Sequence, residues 1–547
     1  MKPGKDNLLI IRKILPVLCV ILFIVLFQKD LTTFAVQQFT TIQNRAVIQV
    51  AQQQSDSEFS VSVKDFGAVG DGKVNDTNAI QKAIDAVDTA GGGVVIFPDG
   101  IYQVSIDSNK SHAITIRAKV TLQGTSNKKS FIKLAANQGN YSSILAGERP
   151  SSDISDFAMY DLAIDGNAST NPVQPEVESE DIPITKMRHS LAIYIGSRID
   201  IERCRFTNQN GRNVITLNGN TEPFRVSISD VSIKNNIFEL IGGGNVDYDH
   251  STIYTHGKQI EIVNNNFSSR SGAGTKGART AIETHGDEHT IKNNQITGFT
   301  AGMNITGYAN SSNNQVITDN SIQNAYTGII VWSYFSDGNT NLPAISNCTI
   351  ENNQINLNVN GWRDLWGDIP STGITLEPNS DAPIENLNIL NNEISYATNS
   401  SEISRETDKL SSGIRLWRNQ SPNVKSENIR IVGNRITNSL ASGIYISMPI
   451  DGGEISENLI INPGQSNGNF SDGYRAAIIV GGNIEDIDLK NNSLVDNQSA
   501  NTLKGGIVLY DKCGGDCNIS GNTLQVNSGA EFKPFRSTSD SESQFSD

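Results

Sequence analysis

One short phrase recurs through most of this chain: an asparagine, any residue, then an apolar residue. It reads NNIF, NNNF, NNQI, DNSI, NNQI, NNEI, GNRI, ENLI, NNSL and GNTL, with the asparagine at 236, 265, 294, 320, 353, 392, 434, 458, 492 and 522. The intervals are 29, 29, 26, 33, 39, 42, 24, 34 and 30 residues. A repeat of roughly 20–50 residues marks a solenoid or a propeller. Between the asparagines the sequence alternates apolar and polar residues, as in IEIVNNNF, and it has almost no helical periodicity. That excludes the helical solenoids.

Alternation turns one side of each strand into a core and the other to solvent. Stacking such units buries a continuous core although each unit touches only its neighbours. Asn suits the turn because it tolerates the left-handed backbone, and repeating it lets side-chain amides stack from coil to coil. The unequal intervals imply loops protruding from a constant core, where a propeller would need a more regular period. The expectation is an all-β, right-handed parallel β-helix of roughly ten to twelve coils.

The segment VKDFGAVGDGKVNDTNAIQKAIDAV…GGGVVIFPDGIYQV (63–104) resembles the N-terminal part of pectate-lyase-superfamily β-helix proteins, a grouping that includes rhamnogalacturonases, polygalacturonases, alginate C5-epimerases and phage tailspikes. DFAMYDLAIDGNAST (156–170) is similar to the next element of those families. The resemblance implies the fold and a carbohydrate substrate, and it leaves elimination, hydrolysis and epimerisation open. Within it, Asp76 or Thr77 can N-cap a helix whose Ile80, Ala83, Ile84 and Val87 share one face and close the first coil.

At the N-terminus, Lys2, Lys5, Arg12 and Lys13 precede an apolar run, 14–27. This pattern is that of a secretory signal, and the run is short for a membrane span. The expected organisation is 1–35 signal peptide or membrane anchor, 36–59 Gln/Ser-rich linker, 60–529 β-helix and 530–547 acidic, disordered tail. The product is secreted, cell-surface or periplasmic, or membrane-tethered if the segment stays, and monomeric. A net charge of −15 excludes sequence-independent nucleic-acid binding, which needs a basic footprint. Five cysteines make no disulfide framework, although Cys513 and Cys517 are close enough in sequence to bridge.

Aligning the repeats gives two outward rows. One runs Thr216, Tyr254, Glu283, Asn304, Ile330, Thr375, Arg415, Tyr445; the other Asn218, His256, His285, Thr306, Trp332, Glu377, Trp417, Ser447. Two near-copies, STIYTHG and TAIETHG, therefore set Tyr254, His256, Glu283 and His285 at the corners of a small rectangle, about 4.8 Å by 6.6 Å. These four are the candidate catalytic residues. Lys276 and Arg279, from the basic loop 268–280, with Asn304, Trp332, Glu377, Arg415 and Trp417, are the candidate substrate-binding residues; exposed aromatics in a row suit sugar rings.

A Tyr/His patch with nearby cations fits proton abstraction from a uronate, and so a lyase or C5-epimerase. The alginate epimerases carry Asp-Pro-His on such a strand, and Glu283-Thr284-His285 shares the His. Hydrolysis needs two carboxyls about 5–9.5 Å apart, whereas Glu283 and Glu377 are about 14 Å apart by coil count. A closer partner would have to come from Asp247 or Asp249. A non-catalytic carbohydrate-binding or structural β-helix is the third reading. No motif fixes a cofactor; His250, His256, His285, His289 and Glu283 could ligate a transition metal, and Asp247 or Asp249 a calcium ion.

Overall fold

The recurring Asn-Asn pair divides its work between its two members. In the computed structural model the first member, at 235, 264, 293, 319, 352, 391, 433, 457, 491 and 521, has a positive φ in every repeat. It is variously Asn, Asp, Gly or Glu, since any residue that bears the left-handed turn will serve. The second member is always Asn because it carries a hydrogen-bonded ladder. The backbone N–H and the side-chain Nδ2 of each ladder Asn both donate to Oδ1 of the next, from Asn236 through to Asn522. Nδ2 also donates to a carbonyl of the preceding coil, such as Ile317 O for Asn353.

The structure describes residues 59–537, apart from 108–109, 149–151, 173–186, 219–227, 243–250, 271–279, 309–311, 335–344, 360–369, 380–382, 398–409, 418–424, 467–473, 499–502, 504, 511–516 and 527–532. The expected signal or anchor and most of the linker lie outside the described residues. From Ser60 onward the described strands form two parallel sheets of 30 and 15 strands. The smaller sheet carries one strand per coil, so the stack is longer than ten to twelve coils. The early coils, before Asn236, lack the Asn phrase that the count rested on.

The core is a set of aligned columns. Phe206, Phe238 and Phe267 stack with ring centroids 5.0 and 4.6 Å apart, and the column continues as Ile296, Ile322, Ile355 and Ile394. Each fully buried side chain of this size contributes about 1.5–3 kcal/mol. The helix Thr77–Thr89 buries Ile80, Ala83, Ile84 and Val87 at the N-terminal end, as expected. Asp76 holds the N-cap position without a side-chain cap bond; its carboxylate instead accepts from the backbone N–H groups of Val69 and Gly70, fixing the preceding loop.

At the other end, Lys533–Ser537 forms a strand paired with Gly505–Leu509, Phe535 in register with Ile507. The rest of the expected acidic tail, 530–532 and 538–547, lies outside the described residues. Cys517 is disulfide-bonded, and Cys204 and Cys348 are free and buried in the core.

Candidate functional site

The two outward rows run along one face of the larger sheet, in the register that the repeats imply. Tyr254 pairs with Thr216 and Glu283, and His256 with Asn218 and His285. Asn304 and Thr306 follow, then Ile330 with Trp332, Thr375 with Glu377, and Arg415. Trp417 pairs onward with Ser447.

The Thr-His-Gly segments of the two strands depend on glycine. Gly286 has φ +116°, and a Cβ there would stand 1.8 Å from the Gly257 carbonyl oxygen. No other residue type lets the two coils stack so closely just after the histidines.

Within the rectangle, His285 Nε2 lies 3.1 Å from Glu283 Oε1. The other Glu283 oxygen accepts from Ser251 Oγ, a residue that sequence reasoning missed. It opens the strand Ser251–Val263 with the parity of the inward Ile253 and Thr255, so alternation alone does not point it towards Glu283. With Nε2–H held by the carboxylate, His285 Nδ1 carries the lone pair, and it has no protein partner. The His256 ring stacks on that of His285 at 5.5 Å, and Tyr254 lies tilted at 5.1 Å. Neither His256 nitrogen has a protein partner; burial, then the neighbouring His285, pull its pKa down to about 4, so it is neutral at pH 7.

The patch lies low in the face: His256 is 2% exposed, and Glu283 and His285 are 7% each. Tyr254 and Asn304 are half-buried, and Thr306 Oγ1 donates to Asn304 Oδ1 at 3.2 Å. Further along, Trp332 is 38% exposed. Arg415 is buried, donates to Thr375 Oγ1, pairs with the Glu377 carboxylate and lies 5.4 Å from the Trp417 ring. Tyr445 and Tyr474 stack beside it, and Trp417 and Tyr510 pack against the same small cluster.

Lys276 and Arg279 lie outside the described residues, as do His250, Asp247, Asp249, Trp362 and Trp366. His289 turns into the core and bonds the His285 carbonyl, away from the outward face. Asp287 accepts from the Asn313 N–H. Among the described residues no three His, Cys, Asp or Glu side chains come together as a metal site, and the aspartates named for calcium are not among them.

A profile of the family described as rhamnogalacturonase A/epimerase, pectate lyase-like, matches residues 60–358. The chain is 41% identical over 107 residues to mannuronan C5-epimerase AlgE3 of Azotobacter vinelandii, covering 19% of this chain and 6% of that one. It is equally similar, 41% over 107 residues, to alginate lyase 7 of the same organism, covering 19% and 12%. The matches thus span only a small part of these relatives' length. A tailspike protein of E. coli bacteriophage HK620, solved with a hexasaccharide, superposes with TM-score 0.59 at 14% identity, over 87% of this chain and 78% of that one; this likeness is one of fold.

Proposed function

Because the chain belongs to the rhamnogalacturonase A/epimerase family of pectate-lyase-like proteins, we propose that it is an exported enzyme acting on a uronate-containing polysaccharide by β-elimination or C5-epimerisation. The observation that carries this reading is the Glu283–His285 pair facing Tyr254 and neutral His256 across two adjacent coils. Export rests on the basic and apolar N-terminal sequence.

In the proposed chemistry His285 Nδ1 takes the C5 proton, and Glu283, on Nε2–H, steadies the imidazolium that forms. Ser251 holds the second carboxylate oxygen, so Glu283 cannot rotate away. The electron pair left at C5 delocalises into the substrate carboxylate, whose charge Lys276, Arg279 and the Asn304 amide are proposed to balance. In elimination the C4–O bond then breaks and the Tyr254 hydroxyl protonates the leaving oxygen. In epimerisation Tyr254 returns a proton to C5 from the opposite side. Trp332 and Trp417 lie two and four coils beyond His285 in the same row, about 9.6 and 19 Å away. A coil rise is close to the length of one pyranose unit, so these rings suit alternate sugars of a chain running along the helix axis.

Hydrolysis is less well supported. Glu283 is engaged by His285 and Ser251, Glu377 is ion-paired with Arg415, and coil spacing keeps the two carboxyls too far apart. The burial of His256, Glu283 and His285 favours one rival, a binding or structural β-helix without catalysis.

The test incubates the purified protein with polymannuronate, polyguluronate and polygalacturonate. Ultraviolet absorbance of an unsaturated uronate reports elimination, and solvent deuterium at C5 reports epimerisation. Either signal, lost in His285→Ala, is expected. Reducing-sugar release without either would mean a hydrolase, and no change with any polymer would sink the catalytic reading.

A further inference from the structure

Directly behind the catalytic face, the aliphatic lining of the β-helix lumen is interrupted. The inward column that passes through Leu217, Ile305, Val331 and Leu376 holds threonine at 255 and 284, the middle residues of the two near-copies. Both threonines are fully buried. A second inward column, one turn further round, holds His289 and Gln315, adjacent in register, where neighbouring coils place Ile260 and Cys348. These are also buried, 1% and 0% exposed. The four residues fall in three consecutive coils, within about 10 Å along the axis.

Each of the four has a polar atom with no protein hydrogen-bond partner: Thr255 Oγ1, Thr284 Oγ1, His289 Nδ1 and Gln315 Oε1. Their other polar groups are spoken for. His289 Nε2 lies 3.3 Å from the His285 carbonyl, and Gln315 Nε2 donates to the Gly286 carbonyl and to Ser312 Oγ at 2.7 and 2.9 Å. Those bonds fix the roles of the rest. With its proton on Nε2, His289 offers a lone pair at Nδ1, and burial keeps the ring neutral. Gln315 offers a carbonyl oxygen. The two hydroxyls can each donate.

Two acceptors and two donors are the complement of ordered water, which both donates and accepts. Buried waters make about three such bonds to groups that would otherwise be unpaired. Leaving four polar atoms unpaired in an apolar lumen is costly, and native cores avoid it. We propose that Thr255, Thr284, His289 and Gln315 line an internal hydration site that holds ordered water within the lumen, behind the Glu283–His285 pair. Through His289 the water braces the His285 carbonyl and the turn at Gly286, on which both histidines' stacking depends. The site itself stands apart from the proposed reaction.

The test turns on a sign. Valine has nearly the shape of threonine without the hydroxyl. If water occupies the site, Thr255→Val and Thr284→Val each remove one of its partners and lower the melting temperature by a few degrees, while Thr284→Ser stays near the parent. If the lumen is dry, each valine removes an orphan hydroxyl, and a melting temperature that is raised or unchanged overturns the proposal. Should the valine variants not fold, a high-resolution crystal structure of the parent decides. Density peaks within hydrogen-bond distance of these four atoms are expected, and a featureless lumen refutes the site. Melting in sodium, potassium and choline chloride at equal ionic strength should coincide; a marked dependence on the cation would mean that a metal ion, not water, sits there.

Discussion

Replacing Asn353 by alanine should be among the most damaging single changes to this fold, although the side chain touches no part of the candidate site. Its Oδ1 accepts from both the backbone N–H and Nδ2 of Asn320, and its Nδ2 donates to Ile317 O and to Asn392 Oδ1. Alanine removes these four bonds. At about 1 kcal/mol net for each, the loss is about 4 kcal/mol. The Asn320 N–H is also left buried without an acceptor, which brings the total to about 5 kcal/mol. Two control substitutions separate the ladder from the turn. Asn522→Ala removes three bonds at a partly exposed end of the ladder, where water can substitute, and should cost about 1–2 kcal/mol. Asn352→Gly changes the neighbouring member of the pair, whose φ is +55°, and should be within about 0.5 kcal/mol of the parent because glycine holds the same place at 433 and 521. The assay is equilibrium urea denaturation followed by far-ultraviolet circular dichroism, with hydrogen exchange to localise the loss. Equal costs for Asn353→Ala and Asn352→Gly would refute the division of labour within the pair.

Other outcomes concern the site and its surroundings. His285→Ala should lower turnover on the active polyuronate about 10²–10⁴-fold, with Glu283→Gln close behind and polymer binding by affinity electrophoresis retained in both. Trp417→Ala should weaken binding of long oligosaccharides and leave short ones unaffected, since the ring lies four coils from His285; equal loss for a disaccharide would rule out a remote sugar subsite at this ring. His256 and His289 both have pKa values pulled down to about 4 from 6.5 by burial. The unfolded chain therefore takes up protons that the native state refuses, and the stability from both groups, full above pH 6.5, is lost as pH falls towards 4. The shifts correspond to about 3 kcal/mol each. A urea midpoint that stays flat across this window, or an unchanged slope in His289→Gln, would contradict the burial of these rings as neutral groups.

The stacking fold was legible because its period is written in one residue type, and strand alternation then told outside from inside. From those two facts the register of both outward rows follows, down to Tyr254 opposite Glu283 and His256 opposite His285. What alternation cannot convey is how a side chain leans once it is outside. Arg415 belongs to one row and Glu377 to the other, and they meet diagonally across adjacent coils, so a residue marked for substrate is committed to a neighbour. Ser251 opens its strand with inward parity, which gave no sign that it would reach Glu283. Alternation marks the threonines of Thr-His-Gly as inward but carries no sign of how their hydroxyls are satisfied. Asp76 occupies the N-cap position but accepts from Val69 and Gly70 in the loop before it, a backward contact that local capping rules do not contain.

The asparagine ladder has a direction as well as a strength. In each link the amide oxygen faces the preceding coil and receives its N–H groups, from Cys204 and Asn236 onward to Asn492 and Asn522. The side-chain carbonyl dipoles therefore point the same way and add, in a sheet whose backbone has little net dipole of its own. Each amide polarises the next, so the row behaves as a short electrical series. Its oxygen-bearing, negative pole lies at the Asn236 end, the end from which the two Thr-His-Gly coils follow. A coil lacking the asparagine would do more than remove local bonds. It would break the series into two weaker segments, and the damage would be felt by links on both sides of the gap.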